Sequence, residues 1–342
     1  MKIKRYILIF LIFTVEIIFA DSSSATVFMY HRFGESKYPS TSIRTEQFEA
    51  HLAYLEKNGY NVWSLSKIVN YLLEGRDIPE KTVALTIDDA YKSIYTDAFS
   101  RLKEKKFPFT IFVNTASIDS KSKSYMSWDE MREIKLFGAE FANHSLSHDY
   151  MLPKDNENKE QWQNRIRYEI ETAQKRLHEE LGADTNENPK IFSYPFGEYS
   201  EQTSDFIKNL GYIGVTQTSG SIDMQSDTKA LPRFPMAEAF ADIDSFVLKL
   251  KTLPLPISSV SPKEPLISSE NPPVLTLELK NPIKNLQCYL SSGEPLSLEW
   301  ISKTEVNIIA KNRLKRPRDK YTCTAKANGD RWYWYSHLWI VK

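Results

Sequence analysis

The stretch TIDDAY (86–91) sets two carboxylates, Asp88 and Asp89, side by side at the end of an apolar run. Adjacent like charges cost free energy unless a metal ion, a shared proton or solvent offsets them. Downstream, NHSLSH (143–148) spaces His144 and His148 four residues apart. On a helical turn that spacing puts both imidazoles on one face, where they can hold one ion. Two imidazoles and one carboxylate leave coordination positions open, which is the catalytic rather than the structural arrangement. One Asp would be a ligand; the other would stay free beside it, placed to take a proton from a water acidified by the ion. A third stretch, FSYPFGEYS (192–200), brackets Phe196 between Pro195 and Gly197. A tight loop after a strand can aim a backbone N–H at a developing oxyanion. Each signal also has an ordinary reading when taken singly. The aspartates could be a helix cap and its solvated neighbour, the histidines a surface pair, and the third stretch a plain strand-to-helix turn.

The elements around these residues favour convergence. VALTI (83–87), FTIFVN (109–114), AEFAN (139–143), IFSY (191–194) and YIGVT (212–216) are short apolar runs. Unbroken runs of this kind suit strands covered on both faces. Between them lie helical patterns. Phe48, Leu52 and Leu55 share a face, with Asn58-Gly59 as a stop. Trp162, Ile166, Ile170, Ala173, Leu177 and Leu181 keep one face until Gly182. Strand–helix alternation implies a parallel sheet, open or closed as a barrel, with its chemistry at the C-terminal strand ends. Asp88 and Asp89 sit at such an end, as does the histidine pair. Because neighbouring residues on a strand point to opposite sides, the backbone after Asp88 must turn for both carboxylates to reach one site.

The chain has 342 residues, 44 basic and 44 acidic, and 41% hydrophobic residues. That balance offers no basic face for nucleic acid. Residues 1–25 read as a secretory signal: Lys2, Lys4 and Arg5, then an apolar stretch from Tyr6 to Ala20, then ADSSSA, with cleavage after Ala20 or Ala25. The alternative is an uncleaved anchor, for which the run is short and carries Glu16. With the signal removed no membrane span is expected, and the protein would be exported to the periplasm, cell surface or medium. Residues 26–251 form the strand–helix domain. Residues 252–273 hold six of the 17 prolines and five serines and read as an extended linker. Residues 274–342 break into short β-rich runs, a small antiparallel sandwich. Its two cysteines, Cys288 and Cys323, suit a disulfide in an exported protein. RWYWYSHLW (331–339) alternates aromatic residues on two faces, one of them core and the other a surface that could stack on sugar rings.

In this order and spacing, TIDDAY, HSLSH and YPFGEY resemble the motifs of the polysaccharide deacetylases, carbohydrate esterase family 4. The usual forms are T-F-D-D-G, H-S/T-x-x-H and R-x-P-x-G. The resemblance covers about residues 26–250 and implies a distorted (β/α) barrel, an α/β fold, followed here by the all-β domain. It implies one divalent ion, usually zinc, and hydrolysis of N-acetyl groups from an amino-sugar polymer with release of acetate. By motif position Asp88 would be the general base, Asp89, His144 and His148 the metal ligands, and the Phe196 N–H an oxyanion donor. Tyr194 and Pro195 would line the substrate. Three departures stand out: Ala90 replaces a glycine, Ser193 stands where an arginine is usual, and no late L-x-H follows the third motif to supply an acid. The chain is similar to one branch, exported deacetylases of poly-β-1,6-N-acetylglucosamine, in having an early Tyr-His, here in FMYHRFGE (28–35). On that branch His31 would be the general acid. Arg233, in LPRFP (231–235), would replace the missing arginine and pair with Asp88. Peptidoglycan, a small amide, or an inactive glycan-binding or assembly role on the same fold are the alternatives. An N-acetylated glycan is the expected partner, with envelope or glycan contact through the β-domain.

Overall fold

The computed structural model describes residues 23–267 and 270–342. The expected signal sequence therefore lies almost wholly outside the described residues. Among the described residues no helix is long and apolar enough to cross a membrane.

The strands of the main sheet of the first domain are β1 (Ser24–Tyr30), β2 (Asn61–Trp63), β3 (Thr82–Asp88), β4 (Phe109–Val113), β5 (Ala139–Asn143), β6 (Ile191–Ser193), β7 (Ile213–Val215), β8 (Ser221–Asp223) and β9 (Phe234–Pro235). They form one sheet in the order β8-β1-β3-β4-β5-β6-β7, with β2 also on β3 and β9 also on β1. Every pairing from β1 through β7 is parallel; only β8 runs against β1. The parallel strands are the apolar runs of the sequence, and β3 and β4 are buried at every position. Such strands need helices on both faces. Leu231 bridges Val215, and β9 pairs with Phe28 and Met29. Segment 231–235 thus carries the sheet from β7 back to β1 and curls it toward a barrel.

The helices follow the sequence pattern. The first, Thr45–Lys57, buries Phe48, Leu52 and Leu55 and is followed by Asn58 at its C-cap. The longest, Lys159–Leu181, buries the row from Trp162 to Leu181 and is capped at its start by the Asn158 side chain, which accepts from the Gln161 N–H.

The second domain is a sandwich of two four-stranded sheets. Its strands are β10 (Thr252–Pro254), β11 (Ile257–Ser261), β12 (Leu275–Leu279), β13 (Gln287–Tyr289), β14 (Ser297–Trp300), β15 (Glu305–Ile309), β16 (Arg318–Lys326) and β17 (Trp332–Ile340). One sheet runs β10-β17-β16-β13, the other β11-β12-β15-β14. Leu275, Leu277, Val306 and Ile308 of the second sheet meet Tyr321, Cys323 and Trp339 of the first in a shared core. Cys288 and Cys323 face each other across β13 and β16 and are joined in a disulfide.

The stretch expected to be a free linker is not one at its start. Residues 252–261 supply β10 and β11, each at a sheet edge. An edge strand leaves one row of backbone groups unpaired, so its missing N–H donors do not exclude proline there. The aromatic run on β17 is half-buried or buried throughout. Trp339 lies in the sandwich core, whereas the Trp334 ring packs 5.3 Å from Phe234 of the first domain.

Candidate active site

The C-terminal ends of β1, β3, β4, β5 and β6 bring His31, Asp88 and Asp89, Asn114, His144 and Ser193 to one edge of the sheet. After β3 the backbone turns through left-handed conformations at Asp89 (φ 73°) and Ala90 (φ 53°). This is the turn that two adjacent carboxylates need to share a site. The Asp89 N–H continues the ladder by donating to the Phe112 carbonyl at 3.0 Å. Ala90 is fully buried in a conformation that glycine adopts at lower cost, so a small side chain is tolerated there under strain.

His144 and His148 do converge, but not on a helix. Residues 144–148 form a loop with Ser145 at φ 67° and His148 at φ 60°. The Ser145 N–H donates to Asn143 Oδ1, the His148 N–H donates to Ser145 Oγ, and the Thr115 and Ala116 N–H groups donate to the Ser145 and Leu146 carbonyls. Loop hydrogen bonds do here what the helical spacing was expected to do, because Ser and Asn side chains compete for backbone groups and favour turns.

Asp89 Oδ1 lies 3.4 Å from His144 Nε2 and 3.4 Å from His148 Nε2. A tetrahedral ion with ligand bonds of ~2.0–2.1 Å spans ligand edges of ~3.3 Å, which the two Asp89 edges match, and all three donors lie within 4.8 Å of one another. They are the cluster of metal-type donors found among the described residues. His144 Nδ1 donates to the Ser193 carbonyl at 2.7 Å, which directs Nε2 at Asp89 as the atom that would ligate an ion. Asn114 Nδ2 donates to Asp89 Oδ1 at 3.1 Å, while Asn114 Oδ1 is buried without a partner. Burial raises the Asp89 pKa, but the hydrogen bond and charge of His144, with the charges of His31 and then His148, outweigh it and hold the carboxyl well below its usual range. Burial and the neighbouring His144 push His148 down to about 4, so it is neutral and able to ligate at neutral pH.

Asp88 takes a different environment. Its carboxylate is fully buried and accepts two hydrogen bonds from Arg233, at 2.7 and 2.8 Å. Ser193 Oγ lies 3.3 Å from the same carboxylate and accepts from Arg233 at 2.9 Å. Thr86 Oγ1 and the Thr216 carbonyl take the remaining guanidinium contacts. Burial alone would raise the Asp88 pKa; the Arg233 charge and hydrogen bonds prevail and lower it. The guanidinium expected at position 193 thus comes from position 233, over a serine small enough to admit it.

His31 follows β1 and is half-buried. Burial lowers its pKa while the charges of Asp88 and Asp89 act to raise it, which puts the ring within electrostatic reach of both carboxylates. Phe196 occupies a left-handed position (φ 60°) in the short turn Pro195–Gly197. Its ring meets His148 edge-on at 4.6 Å and stacks on Tyr150 at 4.4 Å. Gly197 (φ 70°) could carry no side chain, since a Cβ there would lie 2.7 Å from Gln217 Cβ.

Tyr194 and Pro195, expected to line the substrate, are buried. The Tyr194 hydroxyl donates to the Lys229 carbonyl at 2.8 Å and its ring packs on Phe192 and Tyr199. A side chain committed to the core cannot also line a groove. Sequence reasoning missed Asn114, although it ends the FTIFVN run, and it missed Tyr91. Burial and the nearby Asp89 carboxylate push the Tyr91 hydroxyl pKa up, and its ring contacts Tyr125 at 5.2 Å and the Arg32 guanidinium at 3.4 Å.

Residues 75–215 match the family model described as Polysaccharide deacetylase. The chain is 28% identical over 208 residues to YxkH of Bacillus subtilis, covering 60% of this chain and 69% of that protein. It is 24% identical over 226 residues to the poly-beta-1,6-N-acetyl-D-glucosamine N-deacetylase of Escherichia coli, covering 57% of this chain but only 34% of that protein. Among solved structures it is similar to the Streptococcus pyogenes deacetylase PplD, with a TM-score of 0.59 at 20% identity over 67% of this chain and 99% of that one.

Proposed function

We propose that this chain, whose residues 75–215 match the polysaccharide deacetylase family model, removes N-acetyl groups from an N-acetylglucosamine polymer with a bound divalent ion. The observation that carries this reading is the placement of Asp89 Oδ1 at 3.4 Å from both His144 Nε2 and His148 Nε2, beside the Arg233-paired Asp88. Asp89, His144 and His148 would hold the ion, and two imidazoles with one carboxylate suit zinc. When bound, such an ion supplies Lewis acidity, lowering the pKa of a water and polarising the acetyl carbonyl.

The chain's own residues do the rest. A carboxylate offers about four acceptor sites, and Arg233 and Ser193 take three of those on Asp88. The remaining one accepts the proton of the attacking water, and the guanidinium keeps Asp88 ionised until then. The Phe196 N–H donates to the oxyanion that forms as water adds to the carbonyl. His31 gives a proton to the departing nitrogen, so the C–N bond breaks to a neutral amine and acetic acid, which loses its proton to solvent as acetate. The proton gained by Asp88 then restores His31 through solvent. Export is the proposed destination: the apolar leader at residues 1–20 and the disulfide both suit an oxidising compartment. Cleavage after Ala20 keeps β1 intact, whereas cleavage after Ala25 would remove the pairings of Ser24 and Ala25 with β8.

The likeness to poly-β-1,6-N-acetylglucosamine deacetylases makes that polymer the first substrate. The test sets β-1,6-linked N-acetylglucosamine oligomers beside peptidoglycan fragments and counts acetate and new primary amines. Release from the oligomer alone supports the reading. Release from peptidoglycan alone keeps the reaction and replaces the substrate. Zinc binding with no release from either points to a glycan-binding protein.

A further inference from the structure

The sandwich domain reaches the active-site turn through two cations on one strand. Arg318 and Lys320 are two apart on β16 and so project to the same side. Arg318 Nη1 ion-pairs with the Glu198 carboxylate, which is buried and follows directly on the Pro195–Gly197 turn. Lys320 Nζ donates to the Gln217 carbonyl at 3.3 Å. Gln217 is the residue that presses on Gly197. The two cations therefore hold both sides of the turn that carries Phe196, and the Phe196 ring in turn abuts His148. A second contact comes from β17, where Trp334 packs on Phe234, the neighbour of Arg233. Leu338 and Ile340 add an apolar seam with Leu152.

We propose that Arg318 and Lys320 are positioning residues for the reaction: the sandwich domain clamps the Pro195–Glu198 turn from outside and so fixes the Phe196 N–H and ring at the metal-type cluster. This rests on the deacetylase reading for its kinetic consequence, but not for its structural one. The turn needs external support because Phe196 holds a left-handed conformation, which a residue with a side chain keeps only when its surroundings impose it. A buried carboxylate such as Glu198 also needs its partner, because an unpaired charge there would draw the loop toward solvent. A shift of about 1 Å in a group aimed at the reacting atoms can lower a rate by about 100-fold.

The experiment compares Arg318→Ala, Arg318→Lys and the double Arg318→Ala/Lys320→Ala with a control, Lys251→Ala, which removes an interdomain-side ion pair with Asp330 away from the turn. Three quantities are read in the full-length protein: kcat and KM for the N-acetylglucosamine oligomer, thermal midpoint, and hydrogen exchange of backbone amides 194–198. The expected result for Arg318→Ala is a fall in kcat of about tenfold or more with KM within about twofold. Exchange at 194–198 should accelerate, Arg318→Lys should recover most of both effects, and Lys251→Ala should change neither. Unchanged exchange at 194–198 in the double variant overturns the proposal. So does an equal loss of kcat in Lys251→Ala, which would mark a general docking effect. If the wild-type protein releases no acetate, the deacetylase reading fails by itself, and exchange at 194–198 still decides whether the clamp exists.

Discussion

Arg233 and Asp88 meet in a two-point ion pair, 145 residues apart in sequence, with the guanidinium and the carboxylate both shut off from solvent. Arg233 lies in the segment that carries the sheet from β7 back to β1, so curling of the sheet and ionisation of Asp88 depend on one stretch of chain. Removing one partner of such a pair leaves an uncompensated buried charge. Arg233→Met should therefore lower stability by about 3–5 kcal/mol and abolish most activity. The double variant Arg233→Met/Asp88→Asn should be more stable than Arg233→Met alone, as read by urea denaturation. Equal stabilities would mean that the pair is not a coupled unit.

Zinc should stabilise the wild-type protein by mass action. At a free concentration about 100 times the Kd the gain is about 2.7 kcal/mol. Asp89→Asn and His148→Ala should each remove most of that gain, because each deletes one of three donors. Calorimetric titration of the metal-stripped variants checks this, and unchanged zinc affinity in both would remove the cluster from the account.

Buried His51 gives the fold a predictable response to acid. Its Nε2 donates to the Ala241 carbonyl at 2.9 Å, its Nδ1 faces the Tyr30 hydroxyl at 3.1 Å, and its ring stacks on Phe246 at 3.9 Å. Burial depresses its pKa from 6.5 to about 4. A histidine held neutral in the folded state contributes stability that is fully present above the unfolded value of 6.5. That contribution is lost as pH falls from 6.5 toward 4, because the unfolded chain binds the proton first. The loss is on the order of 3 kcal/mol at most. Denaturation midpoints at pH 7 and pH 5, in chelator, should differ more for the wild type than for His51→Gln. Parallel pH slopes would contradict the assignment.

The disulfide closes a loop of 35 residues inside the sandwich. Loops of that size confer about 3–4 kcal/mol, chiefly by restricting the unfolded chain. Reductant should lower the unfolding midpoint accordingly, and Cys288→Ala/Cys323→Ala should match the reduced protein. A midpoint indifferent to reductant would show that the bridge adds nothing.

Much of this was legible in the sequence because parallel strands buried on both faces announce themselves as unbroken apolar runs, and their ends fix where side chains gather. That logic brought Asp88, Asp89 and the histidine pair to one edge. It misjudged how His144 and His148 converge, since backbone hydrogen bonds to the Asn143 and Ser145 side chains shape a loop that i, i+4 spacing alone cannot distinguish from a helix. Tyr194 was misplaced because its neighbours in the motif say nothing about which way its ring turns; packing against Phe192 and Tyr199 decides that. The proline-rich stretch concealed two edge strands, because proline excludes a central strand but not an edge. Contacts across domains, such as Arg318 with Glu198, leave no local pattern at all.

The most direct measurement is acetate release from a β-1,6-linked N-acetylglucosamine oligomer by metal-stripped protein, with and without added zinc, for the wild type, Asp88→Asn and His31→Ala. The account predicts release only with zinc, and only by the wild type, with each variant slower by at least about 100-fold. Release that persists in chelator, or in Asp88→Asn at the wild-type rate, would contradict it.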